Sequence, residues 1–220
     1  MPLILVTGAS RGLGRELCRQ LLARGCSVIA GVREVSQAPP GTEPLVLDVT
    51  DGDRVAAAAE AIRQAHGFLD GLVNNAGILL AGADEDLLHL PEDVLLETLD
   101  TNLLGPLRMA QAFAPLLRKG GRIVNVSSGG GSLSSPSSWS PAYCLSKTAL
   151  NGLTAQLAVA LRPKGISVNA ACPGWVRTDM GGPGAPRDVT EGAAGITWLC
   201  LDAPANLTGR FLRDGKEIPW

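Results

Sequence analysis

Tyr143 and Lys147 are the residues whose types and spacing are best suited to chemistry. They stand four positions apart in "PAYCLSKTALNGLT", residues 141–154, and Tyr143 is the only tyrosine in the 220-residue sequence. In a helix, side chains at this spacing share one face. A nearby ammonium favours the phenolate and so lowers the pKa of a phenol from its usual value of about 10. The pair is therefore a candidate for proton transfer, although ordinary amphipathic surface turns have the same spacing.

A glycine-rich turn near the N-terminus is a candidate site for a phosphate-bearing ligand. The stretch "LILVTGASRGLG", residues 3–14, has the pattern of strand, tight turn and helix. Gly8, Gly12 and Gly14 allow the backbone to approach a ligand, and the N–H groups of the helix start can hold a pyrophosphate. The spacing GxxxGxG differs from the standard GxGxxG fingerprint, so an ordinary βα turn remains an alternative at this point.

The same residues also spell GxSxG, the nucleophile motif of α/β-hydrolases. That motif requires a later acid and then a late histidine, whereas the histidines of this chain are His66 and His89. Too few residues precede Ser10 to supply the earlier strand and the oxyanion loop of such an enzyme. Without its triad the motif has little mechanistic content, so hydrolysis is a poor interpretation.

Short apolar runs alternate with amphipathic stretches along the chain. The predicted helices lie at 12–24, 52–65, 92–118, 142–162 and 190–201. The predicted strands lie within LILVT, SVIAGV, PLVLDV, LDGLVNNAG, GRIVNVSS, ISVNAACPG and GRFLR. Nearly continuous apolar strands are typical of parallel strands covered by helices on both faces. We predict an α/β fold with a doubly wound parallel sheet of about seven strands, in a single domain spanning residues 1–220.

The composition argues against several classes of partner. With Lys+Arg at 19, Asp+Glu at 21 and a net charge of -2, no basic block is left for a nucleic acid or an anionic membrane. The N-terminus lacks the basic start of a signal peptide, and no apolar run is long enough to cross a bilayer. The five cysteines are scattered without a CxxC pair, so we expect reduced, mostly buried thiols and no metal site. We expect a cytoplasmic protein.

The end of the second predicted strand decides which dinucleotide the glycine turn would bind. A carboxylate there would bind the adenosine ribose hydroxyls, but this chain has Arg33. Arg33 and Arg11 can clamp a 2'-phosphate with charge-assisted hydrogen bonds. At the end of the next strand, Asp48 can accept from the adenine amino group while Val49 packs on the ring. These residues predict NADP(H) in preference to NAD(H).

Several short motifs follow one another in register along the chain: TGASRGLG, DV, NNAG, DTNLLG, NVSS, YCLSK and PGWVRTDM. Their order resembles that of the short-chain dehydrogenase/reductase family over essentially the whole chain. The resemblance implies a Rossmann-type fold, a nicotinamide cofactor and a catalytic tetrad of Asn102, Ser128, Tyr143 and Lys147. The segment 179–190 and the terminus "GRFLRDGKEIPW" resemble the C-factor-like branch of small carbonyl reductases.

Each tetrad member has an expected role. Tyr143 acts as the general acid or base, Ser128 hydrogen-bonds the substrate carbonyl oxygen, and Lys147 lowers the phenol pKa and binds the nicotinamide ribose. By the resemblance, Asn102 holds a water that links Lys147 to solvent. Ser128 is chosen as the second serine of NVSS. Other serines crowd the same loop and remain alternatives: Ser127, Ser132, Ser134 and Ser135.

Strand-end positions and the resemblance together predict the cofactor contacts. NNAG is expected to run beside the adenosine ribose and to tie neighbouring strand ends through its amides. PGWVRTDM is expected to cover the nicotinamide, with the Val176 backbone and the Thr178 hydroxyl contacting the carboxamide. The predicted cofactor-binding residues are Gly8, Ser10, Arg11, Gly12, Leu13, Gly14, Arg33, Asp48, Val49, Asn75, Ala76, Gly77, Tyr143, Lys147, Pro173, Gly174, Val176 and Thr178.

The sequence thus predicts an NADP(H)-dependent oxidoreductase acting on a small carbonyl or alcohol. A cofactor-binding sensor on the same fold is the alternative, because a fold alone does not define a function. The short Gly/Pro-rich segment after PGWVRTDM predicts an open site, flanked by Trp139 and Trp175. The resemblance also implies a homo-oligomer that pairs through the helices at 92–118 and 142–162.

Overall fold

The computed structural model describes residues 1–80 and 86–220. Its strands are β1 Leu3–Thr7, β2 Ser27–Val32, β3 Glu43–Val46, β4 Leu69–Asn74, β5 Leu117–Val126, β6 Ser167–Ala171, β7 Phe211–Arg213 and β8 Lys216–Glu217. They form one sheet in the order β3-β2-β1-β4-β5-β6-β7-β8. Neighbouring strands are parallel except β7 and β8, which are antiparallel. The doubly wound sheet is confirmed, with β8 added to the predicted strands.

Helices cover both faces of this sheet. They are α1 Gly12–Ala23, α2 Gly52–Ala65, α3 Glu92–Leu99, α4 Gly105–Phe113, α5 Pro141–Leu161 and α6 Val189–Leu201. Successive residues of a strand point to opposite faces, so Leu5 packs with Phe113 of α4, whereas Val6 packs with Leu17 of α1 and Ile196 of α6. Both faces of β1 are therefore buried, as its unbroken apolar sequence requires.

The predicted helix at 92–118 was too long and too regular. Between α3 and α4 the chain makes a π-helical turn over Asp100–Leu104, in which the Gly105 N–H bonds to the Asp100 carbonyl. Pro106 lacks the N–H that an α-helix would direct at the Asn102 carbonyl, so the regular ladder cannot continue there. The helix ends at Phe113, and Leu117 already pairs with Leu69 of β4. Sheet pairing overrides the helical appearance of residues 114–118.

Side-chain amides join the strand ends that carry the predicted motifs. Asn75 Nδ2 donates to the Thr7 carbonyl at 2.9 Å, and Asn74 Nδ2 donates to Asn125 Oδ1 at 2.8 Å. Asn125 in turn donates to the Thr154 hydroxyl of α5 at 2.9 Å. The prediction that NNAG ties neighbouring strands is confirmed. The same chain of bonds fixes α5, and with it Tyr143, against the sheet.

The described helices contain no segment that is both long enough and apolar enough to cross a membrane. All five cysteines are buried, as expected from their scattered positions.

Candidate active site

The carboxyl ends of the parallel strands surround one large cavity. Its volume is about 1460 Å³, above the roughly 300–1,000 Å³ usual for a pocket with one small ligand. Every predicted cofactor residue lines it, together with Ser128. Asn102 is the predicted site residue that does not. The volume is sufficient for a dinucleotide and a second small molecule in one space.

The tetrad candidates on α5 face the end of β5. The Ser128 hydroxyl lies close enough to the Tyr143 phenol to act on its pKa, and Ser128 Oγ accepts from the Gly130 N–H at 3.2 Å. Lys147 Nζ lies 5.5 Å from the centroid of the Tyr143 ring and donates to the Val126 carbonyl at 2.9 Å. The helical spacing thus places phenol and ammonium on one face, as the sequence predicted.

The serine-rich loop contains one serine that reaches the phenol. Ser127 is buried, and its hydroxyl donates to Asn151 Oδ1 at 2.7 Å, which anchors the loop to α5. Ser132 is bound instead to Ser134, at 2.8 Å, and to the Pro219 carbonyl. Ser128 is therefore the favoured serine, since its hydroxyl is the one that acts to lower the pKa of Tyr143.

Burial shifts both ionisable groups toward their neutral forms. It raises the pKa of Tyr143 to about 12, although the Ser128 hydrogen bond acts in the opposite direction. It lowers the pKa of Lys147 to about 8. A low-dielectric setting disfavours a phenolate and an ammonium alike. The expected lowering of the phenol pKa by Lys147 is thus absent from the protein alone: desolvation is the largest cause of the shift, and Lys147 is not among its causes.

Asn102 lies behind the cavity wall. Its Oδ1 accepts from the Ile78 N–H at 2.8 Å, and its Nδ2 donates to the Ile78 carbonyl at 2.9 Å and to the Ser146 hydroxyl at 3.0 Å. The side chain is fully buried by these contacts. It clamps the loop after β4 to α5, so any contact with the reaction must come from the backbone of the π-helical turn.

The glycine-rich turn is shaped for an approaching anion. Gly8 has a φ of +63°, and a Cβ there would lie 2.8 Å from the Ala76 Cα, while a Cβ on Gly14 would lie 2.2 Å from the Gly8 carbonyl oxygen. The start of α1 has no acidic residue in its first turn and no side-chain cap from Arg11. Its first N–H groups and its dipole are thus directed at the cavity, which fits the pyrophosphate of a dinucleotide.

The predicted phosphate clamp is only partly assembled. Arg33 is exposed and lines the cavity, but Arg11 Nη1 pairs with Asp179 Oδ2 at 2.9 Å. Arg11 must exchange this partner to reach a phosphate beside Arg33. Burial tends to raise the Asp48 pKa, yet the hydrogen bonds from Thr50 and the charge of Arg33 outweigh it, so the Asp48 pKa is lowered. Asp48 thus remains a carboxylate.

The loop after β6 and the loop before α5 form the outer walls. Thr178 Oγ1 accepts from the Gly181 N–H at 3.1 Å, and Trp175 Nε1 donates to the Gly181 carbonyl at 2.8 Å. Trp139 contacts the Tyr143 ring edge to face, with centroids 5.7 Å apart. Both tryptophans line the cavity and are more than half exposed, at 54% and 60%. They flank an open pocket, as predicted.

Two residues of this wall were not predicted from the sequence as site residues. Cys172 and Arg213 line the same cavity, and the Arg213 guanidinium donates to the Cys172 sulphur from Nη2 at 3.0 Å. The period of two in "FLR" was an available signal, since it places Phe211 and Arg213 on the same sheet face. The sequence did not show which residues of β6 lie beside them. The described residues contain no cluster of His, Cys, Asp and Glu that could hold a metal ion.

Comparisons with known proteins agree with this geometry. The family model described as short chain dehydrogenase matches residues 2–187. The chain is 33% identical to short-chain dehydrogenase anuI of Penicillium roqueforti, covering 99% of this chain and 96% of that protein. It is 30% identical to NADPH carbonyl reductase 1 of Rattus norvegicus, covering 100% and 98%.

Among solved structures, the NADPH-bound carbonyl reductase from chicken fatty liver superimposes with a TM-score of 0.89, at 30% identity and over 100% of both chains. A glycine turn aimed at an anion, a Tyr/Lys pair on one helical face and a family match over most of the sequence lead to one conclusion: the chain belongs to the short-chain dehydrogenase/reductase family and resembles its carbonyl reductases.

Proposed function

We propose that this protein is an NADP(H)-dependent oxidoreductase that interconverts a small carbonyl compound and its alcohol. The observation that carries the proposal is that Tyr143, Ser128 and Lys147 line the same cavity as the glycine turn, with Lys147 Nζ 5.5 Å from the Tyr143 ring centroid. The similarity to NADPH carbonyl reductases supports the cofactor and the substrate class. A bound nicotinamide cofactor supplies or accepts the hydride, which leaves the protein to handle the proton.

In this proposal Tyr143 is the general acid for reduction. Its raised pKa keeps the phenol protonated at neutral pH, so it has a proton to give to the developing alkoxide. Ser128, whose hydroxyl lies near the phenol, is positioned to share the same oxygen and to stabilise its charge. Alcohol oxidation requires the phenolate, so its rate rises with pH over the range in which the rate of reduction falls.

Lys147 restores the proton and favours the phenolate during turnover. With a pKa of about 8 it stays largely protonated at neutral pH but can release a proton more easily than an exposed lysine. Its hydrogen bond to the Val126 carbonyl fixes the ammonium near the ring. We assign Asn102 a positioning role through Ile78 and Ser146, with its backbone at the π-helical turn as the place for the predicted water.

Arg33 and Arg11 account for the preference for the phosphorylated cofactor. Both line the adenosine end of the cavity, where the strand end carries an arginine instead of the carboxylate that selects NAD(H). We also propose that the other predicted cofactor-binding residues contact the cofactor in the way the sequence predicts. We also propose one NAD(P)-binding domain over residues 1–220, supported by the single sheet that all described strands join.

The test compares the hydroxyls of Tyr143 and Ser128, and it distinguishes an oxidoreductase from a cofactor-binding sensor. Tyr143→Phe removes one oxygen, so NADPH oxidation at about 340 nm with a panel of aldehydes and ketones should fall at least about 100-fold. NADPH affinity should change little, measured by fluorescence titration. Ser128→Ala should lose activity strongly, whereas Ser127→Ala, whose hydroxyl faces Asn151, should lose far less. Unchanged turnover in Tyr143→Phe would refute the mechanism.

A cofactor-binding sensor remains the second candidate. Its supporting observation is the open pocket, whose tryptophan walls are more than half exposed, and NADPH binding without turnover of any carbonyl compound would favour it. The Tyr143, Ser128 and Lys147 side chains in the cavity argue against it, because a sensor does not require a proton donor at the carbonyl position.

We further propose a cytoplasmic homo-oligomer. Apolar side chains are exposed on the helices that the family resemblance assigns to the interface: Leu96, Leu104, Leu145 and Val159. Such residues on paired helices would be buried by a second copy. Light scattering of the purified protein would give the mass, and a monomer at all concentrations would contradict this assignment.

A further inference from the structure

Arg213 directs its guanidinium into the substrate side of the cavity. It is the last residue of β7, and the pairing of Ala171 with Leu212 places it beside Cys172. Phe211, two residues earlier on the same face, is fully buried with Ala170 and Cys172. The guanidinium Nε and Nη2 lie 3.3 and 3.0 Å from the Cys172 sulphur. The strand therefore fixes the backbone of Arg213, while its guanidinium lines the cavity.

The loop that carries the reactive serine leaves room for this guanidinium. Gly129 follows Ser128 directly, and a Cβ at Gly129 would lie 2.9 Å from Arg213 Nη2. Any larger residue at 129 would have to push the guanidinium away. Because Ser128 and Tyr143 line the same cavity, a positive charge is held next to the loop segment that presents the carbonyl-binding hydroxyl.

Within the described residues no carboxylate forms an ion pair with Arg213, although its charge helps to lower the pKa of Asp214. The nearest candidate in sequence, Asp214, is taken by Arg187 through two contacts of 2.7 Å each. In the ion pairs found over residues 1–80 and 86–220, Arg213 does not take part. Its hydrogen-bond partner is a thiol sulphur, which is a weak acceptor. A partly buried guanidinium with so poor a partner keeps donors available for a ligand.

We propose that Arg213 binds the carboxylate of an anionic carbonyl substrate, so that the enzyme prefers aldehydes or ketones that carry an acid group. The planar fork of a guanidinium matches a carboxylate with two parallel hydrogen bonds. The reacting carbonyl lies toward Tyr143 and Ser128, and the tryptophans flank the substrate body. This inference rests on the proposed function and names the substrate class of the same site.

The experiment compares each acid with its own neutral ester. The substrates are 2-, 3- and 4-carboxybenzaldehyde and the matching methyl formylbenzoates, assayed with NADPH. At least one acid should exceed its ester in kcat/KM by about tenfold or more, since only the acid can form a charged hydrogen bond with the guanidinium. In Arg213→Leu this acid-to-ester ratio should fall about tenfold, and Arg213→Lys should keep an intermediate ratio. The matched control is Arg210→Leu, since Arg210 pairs with Glu217 outside the cavity.

A binding assay keeps the inference independent of turnover. Quenching of tryptophan fluorescence by benzoate and by benzamide should show tighter binding of benzoate, and Arg213→Leu should remove the difference. The proposal would be overturned if the unmodified enzyme had the same kcat/KM for each acid and its ester. It would also be overturned if Arg213→Leu lost affinity for NADPH but kept the preference for the acid. If no carbonyl is reduced yet benzoate still binds through Arg213, the proposed function fails while the anion site stands.

Discussion

The two halves of the cavity are lined by different kinds of protein group. The cofactor half, at the ends of β1 to β4, is made largely of backbone and small side chains, with contacts so close that a Cβ on Gly14 would lie 2.2 Å from a carbonyl oxygen. The substrate half, at the ends of β5 to β7, is made of side chains that meet across the sequence. Arg213 contacts Cys172, 41 residues away, and Gly129 accommodates its guanidinium.

This difference follows from what each half must recognise. A pyrophosphate is bound by N–H groups at a helix start, which any sequence with the correct glycines can present. A substrate must be distinguished by particular side chains on a rigid scaffold. Substitutions in the cofactor half should therefore change affinity for the dinucleotide, whereas those in the substrate half should change the choice of carbonyl compound.

The largest effect is expected at Lys147, where the halves meet. Its Nζ bonds to Val126 at the end of β5, and a Cβ on Gly77 would lie 3.6 Å from it. Lys147→Met should lower kcat for carbonyl reduction at least about 100-fold. The same change should stabilise the cofactor-free protein at pH 7, because it removes an ammonium whose burial lowers its pKa from 10.5 to about 8.

The pH dependence fixes the sign of that stability effect. Between about pH 8 and 10.5 the unfolded chain holds a proton on Lys147 that the folded chain has released, so the unmodified protein gains stability as pH rises. The advantage of Lys147→Met, at most about 3 kcal/mol, should thus shrink over this range in urea unfolding. The exposed Lys164→Met is the control. A destabilised Lys147→Met with no such convergence would contradict the assignment.

A smaller effect confined to the cofactor half is expected at Arg33. Arg33→Ala should raise the Kd of NADPH by about 10- to 100-fold through loss of charged hydrogen bonds, and leave the Kd of NADH nearly unchanged. Fluorescence titration with each cofactor measures both constants. Arg63→Ala, in an exposed pair with Glu60 on α2, should alter neither. Tighter binding of NADH than NADPH by the unmodified protein would reject the clamp.

The smallest effect is expected at Asp179. It holds Arg11 in an ion pair whose two side chains are each 75% exposed, and exposed pairs contribute little to stability. Asp179→Asn should nevertheless lower the Kd of NADPH by a few-fold, since Arg11 no longer has to leave a partner and a negative charge is removed. The gain should vanish at about 1 M salt, where exposed charges are screened. NADH is the control ligand, and a weaker NADPH complex would be the contrary result.

Much of the molecule could be predicted from local patterns. Apolar runs gave β1 and β2 at their observed bounds, and α2 was predicted at 52–65 as it occurs. The Tyr143/Lys147 pair on α5 followed from helical spacing. The interruption at Asp100–Leu104 was missed, although Pro106 gave a signal for it. The phenol pKa was misjudged because the sequence revealed the cation near Tyr143 but not the burial that raises this pKa.

The sequence by itself determined the α/β architecture, the glycine turn and the Tyr143/Lys147 pair, because each depends on residues close together in the chain: continuous apolar runs, clustered glycines and a helical spacing of four. Only the tertiary structure decided which serine meets the phenol, which partner Arg11 has, and that Arg213 lies beside the loop of Ser128. These contacts join distant segments through strand order and register, and no local pattern encodes a distance across a sheet.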